Sequence, residues 1–245
     1  MKISPLREFV LSAMLWLPLM FTLWFVLSSV VAFPVVRLAH LLIDAAMPGL
    51  LHEVGQDYAR FAYSYVVEIA GVGGLPAGKL LVEEQSVNIL IYAYSMPLFC
   101  GLVVASTSSW RSTFLQWAIG LVVLVLACTL GVVCEVLYAI RDGTGNAVTA
   151  ALADEGYGVL AAQAGQAANA YIAQRFDAIG LGVNLIALMR QFGYLILPPV
   201  VPVVMWILFN RQFLEGLVGW EDETIAADDS PKATADAPTR PGDAS

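Results

Sequence analysis

Apolar residues gather along this chain in four long runs, and the pattern changes character between them. The runs extend from about Phe9 to Pro34, Asn88 to Ser106, Phe114 to Tyr138 and Phe192 to Phe209. No charged side chain interrupts the centre of any of them. A hydrocarbon core about 30 Å thick needs roughly 20 apolar helical residues to cross it. Backbone N–H and C=O groups find no water there, so each run is predicted to be a helix. The reading is a mainly α, polytopic membrane protein with about four transmembrane helices, at 9–34, 88–106, 114–138 and 192–209.

The segments between the runs, 35–87 and 140–191, read as external structure. Residues 35–51 are VVRLAHLLIDAAMPGLL, with Arg37, His40 and Asp44 at i, i+3 and i+7. That spacing puts the polar groups on one helix face and predicts a helix lying in the membrane interface or packed on the spans. Pro48–Gly49 ends it. Residues 61–69, FAYSYVVEI, are rich in aromatic and β-branched side chains, with Tyr63, Tyr65, Val67 and Ile69 on one face at period two. A Gly/Pro-rich turn, GVGGLPAGK, leads into LLVEEQSV as a returning strand, which predicts an external β-hairpin. An isolated hairpin is marginal in water, so this one is expected to pack elsewhere on the protein or on a partner. Its Tyr63–Tyr65–Val67–Ile69 face is the candidate partner surface. Asn146–Ala153 and Val159–Phe176 suit helices too polar to span.

Composition supports this picture. Hydrophobic residues make up 59% of the 245 and charged residues 13%, against about 25% charged in an ordinary soluble domain. The net charge of −8 misleads. Eight of the 20 acidic residues (Glu215, Glu221, Asp222, Glu223, Asp228, Asp229, Asp236 and Asp243) fall in the last 35 positions. Residues 218–245 have too little apolar surface to offset their ordering entropy and are predicted to form a disordered, acidic cytoplasmic tail. No basic patch points to nucleic acid.

Charge placement also orients the chain. Lys2, Arg7, Arg111 and Arg211 share one side of a four-span arrangement, while long loops count for less. Both termini are therefore expected in the cytoplasm. Trp110, Trp117, Trp206 and Trp220 near span ends fit aromatic interface belts. Lys2 and Arg7 before an apolar run resemble a secretory signal, but the run is long for one, and an uncleaved anchor is expected.

Candidate chemistry is sparse. Cys100, Cys128 and Cys134 all lie in apolar runs without CxxC spacing or a histidine neighbour, which supports neither a metal site nor a structural disulfide. Cys100 in MPLFCGL is the candidate nucleophile, yet a thiol in apolar surroundings is usually inert. His40 and His52, with Asp44, Glu53 and Asp57 nearby, form no HExxH motif and read as a polar surface. No cofactor is predicted. Glu135 and Arg190 stand near the same end of spans three and four, and ionisable groups at membrane depth tend to pair. They are expected to approach each other. Pro198, Pro199 and Pro202 predict a bend in span four.

Six segments carry a resemblance: REFVLSAMLWLPLMFTLWF, PGL, VNILIYAYSMPLFCGL, SSWRSTFLQW, GVVCE and QFGYLILPPVVPVVMWILFNRQFL. In this order they resemble the exosortase-associated membrane proteins, particularly those accompanying exosortase H, over about Arg7 to Leu217. The resemblance implies an envelope protein-sorting setting and supplies no reaction. Exosortases are cysteine transpeptidase-like enzymes that process a C-terminal sorting signal. They use a cysteine-glycine segment, an arginine near the end of the next helix and a later histidine. Here Cys100–Gly101 is present, Glu135 stands where the arginine is expected, and no histidine follows Cys100. No catalytic role carries over. The leading expectation is a non-enzymatic inner-membrane accessory that binds an exosortase or its sorting substrate. The alternatives are a small transporter or channel subunit and an intramembrane cysteine enzyme using Cys100.

Overall fold

A computed structural model describes residues 5–69, 71, 78–106 and 109–216. The expected acidic tail, Trp220 and the hairpin turn at 72–77 lie outside the described residues. The order of elements is two helices, three strands and six further helices.

The chain opens with α1 (Pro5–Val26) and α2 (Ser28–Ala46), separated only by Leu27. The amide ladder runs through the break: the Leu27 N–H donates to Leu23 O and the Val31 N–H to Leu27 O, each at 3.0 Å. The expected first span and the expected interfacial helix are therefore one continuous rod with a joint at Leu27. The Ser28–Ser29 pair stands at the joint, as at many helix bends. Along α2, Val35, Val36, Ala39 and Ile43 are buried while Arg37 and Asp44 are exposed, so the polar spacing marks the outer face. Gly49, at φ +69°, makes the turn out of the helix that a side chain would disfavour.

Three antiparallel strands follow in the order β1-β2-β3: β1 (Leu51–Asp57), β2 (Arg60–Ile69) and β3 (Gly78–Asn88). The expected hairpin is β2–β3. The extra strand, LHEVGQD, has neither alternation nor β-branched enrichment, and it forms by pairing along the edge of β2. The sheet is tied to the next helix by the Ile89 N–H, which donates to Ala59 O at 3.0 Å.

Helices α3 (Leu90–Ala93) and α4 (Ser95–Ser106) meet at Tyr94. Next comes α5 (Trp110–Asp154), unbroken for 45 residues and thus about 67 Å long at 1.5 Å per residue. That is twice what a bilayer core needs. Its exposed large apolar side chains (Trp110, Phe114, Leu115, Ile119, Val122, Leu126, Leu130) stop at Leu130. Beyond that point its exposed residues include Asp142, Asn146 and Asp154. One half of α5 has a lipid-like surface and the other an aqueous one. Helix α6 (Val159–Ala178) packs back along the second half.

The last run consists of α7 (Val183–Gln191), a π-helical turn (Phe192–Ile196) and α8 (Leu197–Phe209). The Leu197 N–H reaches back five residues to Phe192 O. Pro198 and Pro199 follow with no N–H to offer, and widening the preceding turn is the local answer to their lost bonds.

The helices interlock at glycines. A Cβ at Gly101 would come within 2.8 Å of the Leu17 side chain, and one at Gly131 within 2.5 Å of the Tyr92 ring. A Cβ at Gly120 would overlap the Phe99 ring. Gly193 faces Gly131 so closely that its Cβ would lie 3.0 Å from that backbone. The Phe99–Gly120 and Tyr92–Gly131 contacts place α3 and α4 antiparallel to α5, Gly193–Gly131 together with the Asn210–Gln116 hydrogen bond does the same for the last run, and α1 lies beside α4.

Among the described residues four helices are long and apolar enough to cross a membrane: Leu6–Val26, Ser28–Ala46, Trp110–Asp154 and Val183–Phe209. Leu90–Ser106 is apolar but shorter. The fold is that of a mainly α, polytopic membrane protein with a small antiparallel sheet.

Candidate functional site

Glu135 lies on α5 one turn beyond the lipid-like half, and Arg190 lies in the last turn of α7. The Arg190 Nε donates to Glu135 Oε2 at 2.6 Å, and the Tyr92 hydroxyl donates to the same oxygen at 2.9 Å. The guanidinium lies 4.5 Å from the centre of the Tyr138 ring, one turn along α5 from Glu135. Tyr194, in the π turn, meets the Tyr92 ring edge-on at 6.3 Å. Three chain segments thus converge on one carboxylate. The Arg190 side chain is 41% exposed and the Glu135 side chain 19%. This is a half-sheltered clasp in which cation, anion and aromatic face are mutually satisfied.

A second polar tie stands at the other end of the spans. The Asn210 amide donates to Gln116 Oε1 at 3.2 Å, and the Trp206 indole donates to Ser106 Oγ at 2.9 Å. Phe9 of α1 stacks on the Trp206 ring with centroids 5.5 Å apart.

The candidate partner surface needs correction. Tyr63, Tyr65, Val67 and Ile69 are 3%, 2%, 0% and 9% exposed. The Tyr65 hydroxyl meets Thr144 Oγ1 of α5 at 3.1 Å, and α6 packs against β2. Thr144 donates its own proton to Ile140 O, so Tyr65 is the donor in the contact. The hairpin packs on the protein's own helices, and that face is not available to a partner. Burial pushes the Tyr63 and Tyr65 phenols above the ordinary tyrosine value.

Cys100 is partly buried on α4 next to Gly101, on which Leu17 of α1 is seated. His40 lines a small crevice between α2 and β1, and His52 is exposed on β1. Among the described residues, Cys100 makes no hydrogen bond to a histidine or carboxylate, and no group of three or more His, Cys, Asp and Glu could hold a metal ion.

Charge placement at the ends of two apolar runs pointed to Glu135 and Arg190. It did not point to Tyr92, Tyr138 and Tyr194, which complete the clasp. The i, i+3 spacing of Glu135 and Tyr138 was the available signal. Tyr92 and Tyr194 arrive from other helices and had none.

Membrane-length helices around a long central one, joined by polar ties and carrying a small sheet, define a polytopic membrane protein. The family model described as exosortase H-associated membrane protein matches residues 3–213. The chain belongs to that family, and is thereby linked to an exosortase system as an associated membrane protein. No curated protein and no solved structure matches it.

Proposed function

We propose that this protein is a non-enzymatic accessory of an exosortase-type sorting system, acting in the bacterial inner membrane by binding the sortase or its sorting substrate. The observation that carries this reading is the state of α1. In the most apolar 18 residues of Leu6–Val26 only 6% are buried, against 44% in the corresponding stretch of Trp110–Asp154. Helix α1 touches the bundle through Leu17 at Gly101 and Phe9 at Trp206, and leaves Leu11, Leu15, Leu19 and Leu23 exposed in an i, i+4 ridge. Such ridges pack into the grooves of neighbouring helices. Within lipid, association depends on packing of this kind.

In this reading the crossings are α1, α3–α4, the first half of α5 and the π turn with α8, close to 9–34, 88–106, 114–138 and 192–209. Both termini are cytoplasmic. The joint at Leu27 lets α2 leave the bilayer beside the sheet. Cys100 serves as a small packing residue.

A photo-crosslinking residue placed at Leu15 or Leu19 in cells tests the reading. The expected product is a covalent adduct with the co-expressed exosortase or its substrate, and none from Val122 on the lipid-like face of α5. Adducts of equal yield from Leu15 and Val122, or none from Leu15 and Leu19, would overturn it.

A further inference from the structure

The outer side of the sheet holds a feature that the membrane-helix reading does not use. Two pairing irregularities meet at one residue, Ser64. Between β1 and β2 the register skips from Leu51↔Tyr65 to Glu53↔Ser64, which leaves His52 extra. Between β2 and β3 it skips from Tyr63↔Gln85 to Tyr65↔Val82, which sets residues 83 and 84 opposite Ser64 alone. Bulges bend a strand locally and re-aim its side chains. Here they coincide with an open cleft of about 570 Å³ whose lining includes Glu53, Gly55, Ala62, Ser64 and Leu81 on the outer face and the strand segments at Val54 and Tyr63 between them.

The lining has a definite chemistry. Gly55, Ala62 and Ser64 present small side chains, and a Cβ at Gly55 would meet nothing within 4 Å. Leu81, 45% exposed, offers apolar surface. Ser64 is 9% exposed, and its buried hydroxyl has no hydrogen-bond partner. An unpartnered buried hydroxyl costs free energy until something meets it. Charge is unbalanced here as well. Elsewhere in the sheet Asp57 stands in register with Arg60, and Glu68 pairs with Lys79 at 3.7 Å. Glu53 stands opposite Ser64 and forms no salt bridge among the described residues. The ligand that fits carries a cation able to donate hydrogen bonds, on an aliphatic stem. The volume is in the range of ligand sites and leaves room for residues flanking one such side chain.

We propose that this cleft is an interaction surface for an extended basic segment of a partner protein, seating a lysine or arginine side chain against Glu53 and Ser64. It would be a second contact, separate from α1, and purified protein suffices to test it, so it can fail without the α1 reading failing.

The test is fluorescence anisotropy with the full chain in phosphatidylcholine nanodiscs. The probes are three labelled threonine-rich pentapeptides whose central residue is lysine, glutamine or glutamate. The lysine peptide is expected to bind saturably and about tenfold more tightly than the glutamine peptide, the scale of one charge-assisted hydrogen bond. The glutamate peptide is expected to bind more weakly still. Glu53→Gln, a change at an exposed position, should remove most of the preference for lysine while leaving amide-exchange protection of the sheet intact. Ser64→Ala should weaken the lysine peptide by a smaller factor. Equal affinity for the three peptides, no binding above empty nanodiscs, or an undiminished lysine preference in Glu53→Gln would each overturn the proposal.

Discussion

Neutralising the Glu135 carboxylate weakens two charge-assisted hydrogen bonds at once, those donated by the Tyr92 hydroxyl and the Arg190 Nε. A hydrogen bond to a charged group contributes about 1.5–3 kcal/mol, and Arg190 recovers part of that loss through its exposed side. Glu135→Gln is therefore expected to lower the unfolding free energy by about 2 kcal/mol. Arg190→Gln added to it should cost little more, because their interaction has already gone. Steric-trapping measurements on the double-mutant cycle check this, and additive losses would show that the two side chains act independently. The sheet tyrosines respond to pH. Burial raises their folded values above the ordinary tyrosine value of about 10. Their stabilising contribution is complete below pH about 10 and is lost as pH rises further, because the unfolded chain ionises first. Phenolate absorbance of the wild type should lag behind that of unfolded protein above pH about 10, and the lag should shrink in Tyr63→Phe/Tyr65→Phe. At this scale the sequence told which face of β2 is apolar. It could not tell whether the cover was a partner or the protein's own α5 and α6, because alternation records burial and not what supplies it.

At the scale of elements, α5 shows where local signals are overruled. Asp142-Gly143-Thr144-Gly145 reads as the end of a helix, and each glycine costs about 1 kcal/mol relative to alanine in a helix interior. The helix nevertheless continues, because its far half is used on both sides. Thr144 anchors Tyr65, and Gly145 lies against Gly165 of α6. At Gly165 a methyl group would overlap Thr149 Oγ1 and Gly145 O. Gly165→Val is expected to force α6 away from α5 at a cost of about 2 kcal/mol or more. Hydrogen exchange should show lower protection in α6 and β2 while α1 and α4 keep theirs, whereas unchanged protection in α6 would contradict the close contact. Strand β1 escaped detection for a related reason: its order comes from the edge of β2. The three prolines were legible as a disturbance, but the π turn they favour depends also on Gly193 meeting Gly131.

At the scale of the whole molecule, the proposed arrangement puts the sheet, α6 and the far half of α5 on the side opposite both chain ends. An impermeant maleimide should therefore label Gln166→Cys in intact cells, and Gln212→Cys only after permeabilisation. The reverse pattern would invert the orientation. Three of the four membrane-length helices among the described residues, Leu6–Val26, Trp110–Asp154 and Val183–Phe209, contain apolar runs legible from length alone. The partition was less so: α2 reaches span length although its buried face packs against α5 and β1, while Leu90–Ser106 falls short of it. Length and hydropathy describe a helix in isolation, and its neighbours decide where it lies.

The two polar ties on α5 have a further consequence. Gln116 and Glu135 are 19 positions apart in sequence, about 28 Å of helix rise. A bilayer whose hydrocarbon thickness matches that distance leaves both ties at its surfaces. A thicker one draws Glu135, Arg190 or Gln116 inward, at a cost of fractions of a kcal/mol per Å. Reconstituted into phosphatidylcholines of increasing chain length, the protein should be most heat-stable where the hydrocarbon is about 28 Å thick, and Glu135→Gln/Arg190→Gln should flatten the maximum. The clasp would then be a gauge of membrane thickness as well as a joint between helices.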